Sequence, residues 1–477
     1  VKTTPAVLSI VISISVAFNN GHAQPIFPLK MSPDHRYLVD QKNRPFPILG
    51  RTAWFIISQP ENGYKEFLNN SIAHGHNAIE MAVITHWPMG NHAPFNGRGD
   101  MPFRKRLDGA DWTGKLAYDT IATQAPDLQT PNETYWNFVD DFLGYCEANG
   151  ILVFLFPGYA GYNGEEQGWM KELVANGVGR SAAYGKWIAQ RYRARKNIVW
   201  MLLGDMGTFN DEQKRAEEAL IKGLKSVADQ QSIHYSAEAH SGQNSAEQAD
   251  FGSEMTLNGV YTWELKVPVP FIARRAYRHM PTIPSYLLEE PYDEEGPDGN
   301  NYNPNAIQPV RRFQWWGWLC AAGGYISGNG YVWQFVDPVW QQHLNTQAAM
   351  DMSRLNKFIR SIEWWKLVPS GLNGMKTLIT GKNNRDTAAD YVAASATKNG
   401  TLLVAYIPPA HTGSISVDMS ALRGKIYANW FDPTNGSFTE VTGSPFTTKS
   451  AREFVPPGKN STGENDWVLV LSAKRKK

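Results

Sequence analysis

Short apolar runs recur along the first three quarters of the chain, and an amphipathic stretch separates most of them. The runs are Phe46–Leu49, Asn77–Ile84, Leu152–Phe156, Ile198–Leu203, Ile233–Ala237, Val260–Trp263, Ser285–Leu288 and Gly324–Ser327, eight in all. Helical spacing covers Tyr64–His74, Glu133–Asn149, Arg180–Arg195, Asp211–Asp229, Phe271–Met280, Pro309–Ala322 and, after the last run, Thr346–Ser361. Runs such as LVFLF and IVWMLL are apolar throughout, as parallel strands buried on both faces must be. Strand then helix, repeated in this way, predicts an α/β fold: a (β/α)8 TIM barrel with insertions. A doubly wound open sheet would carry a Gly-rich phosphate loop after its first strand, and none is present. The long Gly-, Pro-, Asp- and Asn-rich stretch from Thr85 to Thr130 reads as an insertion that forms a lid or a substrate wall.

From about Leu372 the period changes to alternation. Thr401–Ile407, Lys425–Trp430 and Trp467–Leu471 are separated by turn signals at Asn399-Gly400, Asp432-Pro433 and Pro456-Pro457-Gly458. This predicts a C-terminal all-β sandwich. At the other end, Lys2 precedes an apolar run from Ala6 to Phe18, followed by a small residue at Ala23. That is the pattern of a signal peptide, too short to span a bilayer. The expected division is therefore 1–23 signal peptide, 24–370 catalytic barrel and 371–477 accessory sandwich, in a secreted or periplasmic protein.

Lys+Arg number 46 and Asp+Glu 45, a net charge of +1, so there is no basic field for nucleic acid. No other segment approaches a membrane span. Cys146 and Cys320, the only two cysteines, exclude a disulfide scaffold and read as buried free thiols. Aromatic residues make up 12% of the chain, enough to leave ring faces for a partner such as a sugar.

In a barrel the site lies at the C-terminal ends of the strands. Those ends carry Arg51 and Trp54, His86 and Trp87, Asp205, His240, Tyr261 and Trp263, Glu289 and Glu290, and Trp333 after the last strand. There is no G-x-S-x-G elbow and no H-E-x-x-H. His86, His240 and Asp205 lack the spacing of a metal site, and neither a metal nor a cofactor is expected. Two carboxylates facing each other across a sugar pocket are what glycoside hydrolysis requires, and Asp205 and Glu289 come from strands four and seven. A non-catalytic glycan- or collagen-binding protein on a decayed barrel is the alternative, and it would lack that pair.

The stretches YLVDQKNRPFPILGRTAW, NGRGDMPF, AYGKWIAQRYRARKNIVWMLLGD, PSYLLEEPYDEE and RRFQWWGWLCAAGGYISG resemble the apiosidase-like glycoside hydrolases of the TIM-barrel clan. YIPP, WFDPTNGSF, FVPPG and DWVLVL resemble the collagen-binding-type sandwich that often follows that catalytic domain. The resemblance implies a retaining glycosidase acting on a plant, algal or microbial polysaccharide. It puts the acid/base on Asp205 and the nucleophile on Glu289. The family's Glu-Pro dipeptide points instead to Glu290 as runner-up. Tyr292 falls in the same motif, and it joins Arg51, Trp54, His86, Trp87, His240, Tyr261, Trp263 and Trp333 as an expected sugar contact. Arg51 stands where the family has an acid. It would select an anionic sugar if its guanidinium reaches the pocket, or else pair with a neighbouring acid.

Overall fold

The computed structural model describes residues 24–85, 94–114, 122–164, 168–227, 234–263, 268–295, 307–336, 338–381, 384–447 and 450–475. Eight strands form the barrel: β1 (Ile48–Thr52), β2 (Ala78–Ala82), β3 (Leu152–Phe156), β4 (Ile198–Leu203), β5 (His234–Glu238), β6 (Asn258–Tyr261), β7 (Ser285–Glu289) and β8 (Ala322–Ser327). Neighbours run in the order β5-β4-β3-β2-β1-β8-β7-β6, and every ladder among them is parallel. The sheet closes between β8 and β1 by close backbone approach. A Cβ on Gly324, whose φ is +136°, would stand 2.0 Å from the Ile48 carbonyl oxygen, so only glycine fits. Among the described residues there is no direct ladder between β5 and β6. The Ser245 hydroxyl bridges the seam, accepting the Gly259 N–H (2.8 Å) and donating to the Ala237 carbonyl (2.6 Å).

The helices are α1 (Glu61–Ala73), α2 (Glu133–Ala148), α3 (Met170–Arg191), α4 (Asp211–Lys225), α5 (Val269–Tyr277), α6 (Ile307–Ala321) and α7 (Gln347–Arg360). Each predicted helix is present, but α3 begins ten residues earlier than Arg180. It breaks at Gly177 (φ 69°, ψ 175°) and resumes, so the Gly-Val-Gly sequence interrupts the helix instead of starting it. The described part of the predicted insertion packs against the barrel's helices. Phe103 lies among Trp112, Trp136, Trp169 and Tyr184 with ring centroids 5.6–6.5 Å away, which pins the described insertion to α2 and α3. Cys146 and Cys320 are buried and free. Among the described residues no helix is long and apolar enough to cross a membrane.

The C-terminal region has a six-stranded and a three-stranded antiparallel sheet. Leu403, Ala405 and Ile407 of the larger sheet share a core with Ile415, Val417 and Phe454 of the smaller one. Their alternates Leu402, Val404 and Tyr406 pack instead with Trp315 and Trp318 of α6 and Phe358 of α7. With a side-chain period of two, one sheet is thus buried on both faces and joins barrel to sandwich.

Candidate active site

Strand β4 ends in three consecutive left-handed residues, Leu203 (φ 66°), Gly204 (φ 121°) and Asp205 (φ 53°). A Cβ on Gly204 would stand 2.2 Å from the Tyr159 ring, so glycine lets that ring come close. The Tyr159 hydroxyl uses the space to donate to Asp205 Oδ2 at 2.5 Å.

Across the barrel, the β6–β7 register changes. Val260 pairs with Leu287, but Tyr261 pairs with Glu289, leaving Leu288 as an extra residue. Plain alternation from the inward Tyr286, whose ring faces Phe154, would carry Glu290 inward. The bulge reverses the phase. Glu289 turns inward, where Tyr292 Oη donates to its Oε1 and Trp54 Nε1 donates to that phenol at 2.7 Å. Glu290 turns outward and accepts from Gln314 of α6. Trp54 links the two carboxyls, its ring centroid 5.0 Å from that of Tyr159, the donor to Asp205, and its Nε1 bonded to Tyr292, the donor to Glu289.

Two further acids converge here, Glu80 in the middle of β2 and Glu238 at the end of β5, both fully buried. Sequence reasoning passed over them as site residues. A carboxyl inside Ala-Ile-Glu-Met-Ala, an otherwise apolar strand, was the signal available for Glu80. Burial raises the pKa of all four acids. Glu289 reaches about 7, from desolvation and the Asp205 charge, opposed by the Tyr292 hydrogen bond and the nearby polar groups of Glu238 and Tyr261. Asp205 is raised by desolvation, against the Tyr159 and Tyr261 phenols and the nearby His240. Glu80 and Glu238 lie well above the usual range, first from desolvation and then from the Glu289 and Asp205 charges. So crowded a set of acids must hold protons at neutral pH, and it can therefore present one carboxyl as acid and another as base.

The rest of the expected site divides. Trp54 lies tilted against Tyr159 (5.0 Å) and Phe156 (5.1 Å), and Trp333 lies 6.3 Å from Tyr292. Trp263 donates to Glu295 Oε2 at 3.1 Å, and the His240 ring is 6.4 Å from Tyr162. Trp263, Trp333 and His240 are half-buried. His86 and Trp87 lie outside the described residues.

Arg51 corrects the expectation. It pairs in register with Ile79, whereas Thr52 pairs with the inward Glu80, so Arg51 faces out. Its Nη1 donates to Asn70 Oδ1 of α1 at 2.9 Å and its guanidinium sits 5.1 Å from the Phe67 ring centroid. Only 6% exposed, with its pKa lowered by burial to about 10, it belongs to the strand–helix layer and not to the sugar pocket. Among the described residues no group of three or more His, Cys, Asp or Glu could hold a metal ion.

The model of the apiosidase-like catalytic domain matches residues 32–366, and that of a collagen-binding-like domain of a collagenase matches 376–472. No curated protein matches the sequence. Among solved structures, one described as a glycoside hydrolase superposes with a TM-score of 0.74 at 19% identity, covering 95% of this chain and 100% of that one. A family 5 glycoside hydrolase from Bacteroides vulgatus superposes with a TM-score of 0.73 at 18% identity, covering 94% of this chain and 95% of that one. At such identities the structures speak for the fold, and the family match over most of the chain supplies the rest: this protein belongs to the apiosidase-like glycoside hydrolases.

Proposed function

We propose that the protein is a retaining glycoside hydrolase, exported by its N-terminal segment, that cleaves a glycosidic bond in a polysaccharide with Asp205 as acid/base and Glu289 as nucleophile. The observation that carries this is a continuous set of contacts between the two acids: Tyr159 donates to Asp205 at 2.5 Å, Tyr292 donates to Glu289, and Trp54 meets both, 5.0 Å from the Tyr159 ring and bonded to the Tyr292 hydroxyl at 2.7 Å. In the first step Glu289 forms a bond to the anomeric carbon as Asp205 gives its proton to the departing oxygen. In the second, Asp205 takes a proton from water, whose oxygen displaces Glu289. Retention needs the two carboxyls ~5–5.5 Å apart.

The productive form has Glu289 ionised and Asp205 protonated. The two titrate as a pair, so the pH profile reports the pair. With Glu289 raised to about 7, kcat/KM should fall as the pH drops below that value. The sandwich is read as support for the barrel and not as a collagen-binding module, because its largest sheet is committed to the barrel.

A polysaccharide panel, with the anomer of the first product read by NMR, tests the reaction. Asp205→Asn and Glu289→Gln should each lower kcat by at least ~10³-fold with melting temperature held, because each removes a group that takes part in bond making. Retained activity in Glu289→Gln alongside a dead Glu290→Gln would move the nucleophile, and an inverted product would end the retaining assignment.

A further inference from the structure

Tyr162, in the loop after β3, is 52% exposed, although its backbone is tied down on both sides. Before it, the Ala160 N–H donates to the Leu203 carbonyl at 2.9 Å; after it, the Asn163 N–H donates to the Asp205 carbonyl at 3.2 Å. Gly161 (φ 92°), Asn163 (φ 52°) and Gly164 (φ 74°) are left-handed, and the Gly164 N–H closes the turn on the Gly161 carbonyl at 2.8 Å. The Tyr159 hydroxyl on Asp205 Oδ2, at 2.5 Å, is a third tie to the same strand end. A single exposed tyrosine is ordinary on a protein surface. What sets this one apart is that its turn is built onto the residues that present the proposed acid/base.

His240, after β5, stands on the other side of that strand end. Its ring centroid lies 6.4 Å from that of Tyr162, with the planes 36° apart. Gly207 makes room for it, since a Cβ there would stand 2.9 Å from His240 Cβ. His240 Nδ1 lies 3.1 Å from the Ser241 carbonyl oxygen. A carbonyl only accepts, so Nδ1 carries the hydrogen and Nε2 is the acceptor of the neutral ring. β3, β4 and β5 are neighbours in the barrel, so the two rings flank the loop after β4, while Glu289 comes from β7.

In a retaining glycosidase the acid/base protonates the departing oxygen, so the departing sugar lies on its side of the cleaved bond. We propose that Tyr162 and His240 form a leaving-group subsite: the C–H face of the departing sugar unit rests on the Tyr162 ring, and one of its hydroxyls donates to His240 Nε2. The subsite makes the enzyme select a sugar beyond the cleaved bond, and not merely a group that leaves easily.

The inference rests on Asp205 as acid/base, and its test separates the two. The probes are the shortest oligosaccharide that the full-length protein cleaves and the glycosyl fluoride of the same sugar. Fluoride puts no sugar in the leaving-group position and departs without help from an acid. Tyr162→Ala should lower kcat/KM on the oligosaccharide ~10- to 100-fold, and on the fluoride at least ~10-fold less, with melting temperature held. Tyr162→Phe keeps the ring and should recover most of that loss. His240→Ala should show the same split between the two substrates. Equal losses on both substrates would overturn the proposal, because the ring would then support Asp205 and not a sugar. An undiminished rate of Tyr162→Ala on the oligosaccharide would overturn it as well. The fluoride tests Asp205 separately: with azide as nucleophile, Asp205→Asn should turn it over while failing on the oligosaccharide. An Asp205→Asn enzyme that azide does not restore would defeat the acid/base assignment, and this inference with it, whatever the Tyr162 variants show.

Discussion

Glu217 of α4 shows how buried acids couple this protein's stability to pH. Its Oε1 accepts the Leu203 N–H at 3.1 Å, while its Oε2 is buried without a partner. Desolvation raises its pKa from 4.5 to about 7, more than the Leu203 hydrogen bond lowers it. Between those two values the unfolded chain has lost a proton that the folded chain keeps. The contribution to stability is therefore complete below 4.5 and is lost as the pH rises to about 7, at ~1.4 kcal/mol per pH unit for each such group. Glu289, raised to about 7, and Asp293, raised to about 6, act in the same direction. The melting temperature should fall between about pH 5 and 7, and Glu217→Gln should flatten that fall. A melting temperature that rises over this range, or a variant as steep as the wild type, would contradict the account. Arg51 makes the second test at this scale. Held by Asn70 and stacked near Phe67, it should affect stability and not substrate charge. Arg51→Ala should cost ~2–4 kcal/mol and lower kcat/KM equally on neutral and anionic glycans. A loss confined to anionic substrates would return Arg51 to the pocket.

Among the elements, the strand ends do the positioning, and they are where the sequence was hardest to read. β3 and β4 stand where their continuous apolar runs placed them, because a strand buried on both faces leaves an unbroken hydrophobic signature. The choice between Glu289 and Glu290 was illegible. It turns on the extra residue Leu288, a pairing event between two distant strands that no local pattern records. Glu80 and Glu238 were missed as site residues because a lone acid at a strand position looks the same in sequence whether it faces in or out. Arg51 went the other way: its place beside the strand end suggested the pocket, and the pleat sent it outward. Gly204 offers a direct test of the β4 turn. Gly204→Ala meets both a left-handed φ and the Tyr159 ring, so it should displace that ring from Asp205. We expect kcat to fall ~10-fold or more, with the alkaline limb of the pH profile altered. A wild-type pH profile would show that Tyr159 does not govern Asp205.

In the whole molecule, the barrel and sandwich share a polar lock inside an apolar joint. Arg311 of α6 donates through Nε and Nη2 to the two oxygens of Asp466, each at 2.8 Å, and through Nη1 to Asp351 of α7 at 2.6 Å. Tyr406 Oη and Asn460 Nδ2 also donate to Asp466, at 2.9 and 2.7 Å. Arg311 and both acids are buried, so removing the Asp466 charge takes from the guanidinium the acid that it meets with two hydrogen bonds and leaves it Asp351 alone. Asp466→Asn should cost ~3–5 kcal/mol by chemical denaturation. Deleting 372–477 strips the cover from Trp315, Trp318 and Phe358 and should give an insoluble barrel. A truncated barrel that stays soluble and fully active would show that the joint is dispensable.

The doubly buried sheet also determines how the enzyme can meet a polymer. A domain on a flexible linker raises the local concentration of its partner by roaming, and the gain depends on linker length. Here the two units have no such freedom: residues 402, 404 and 406 face one unit and 403, 405 and 407 the other. Any chain resting on the sandwich would reach the catalytic mouth at one distance and one angle, as on a ruler and not on a leash.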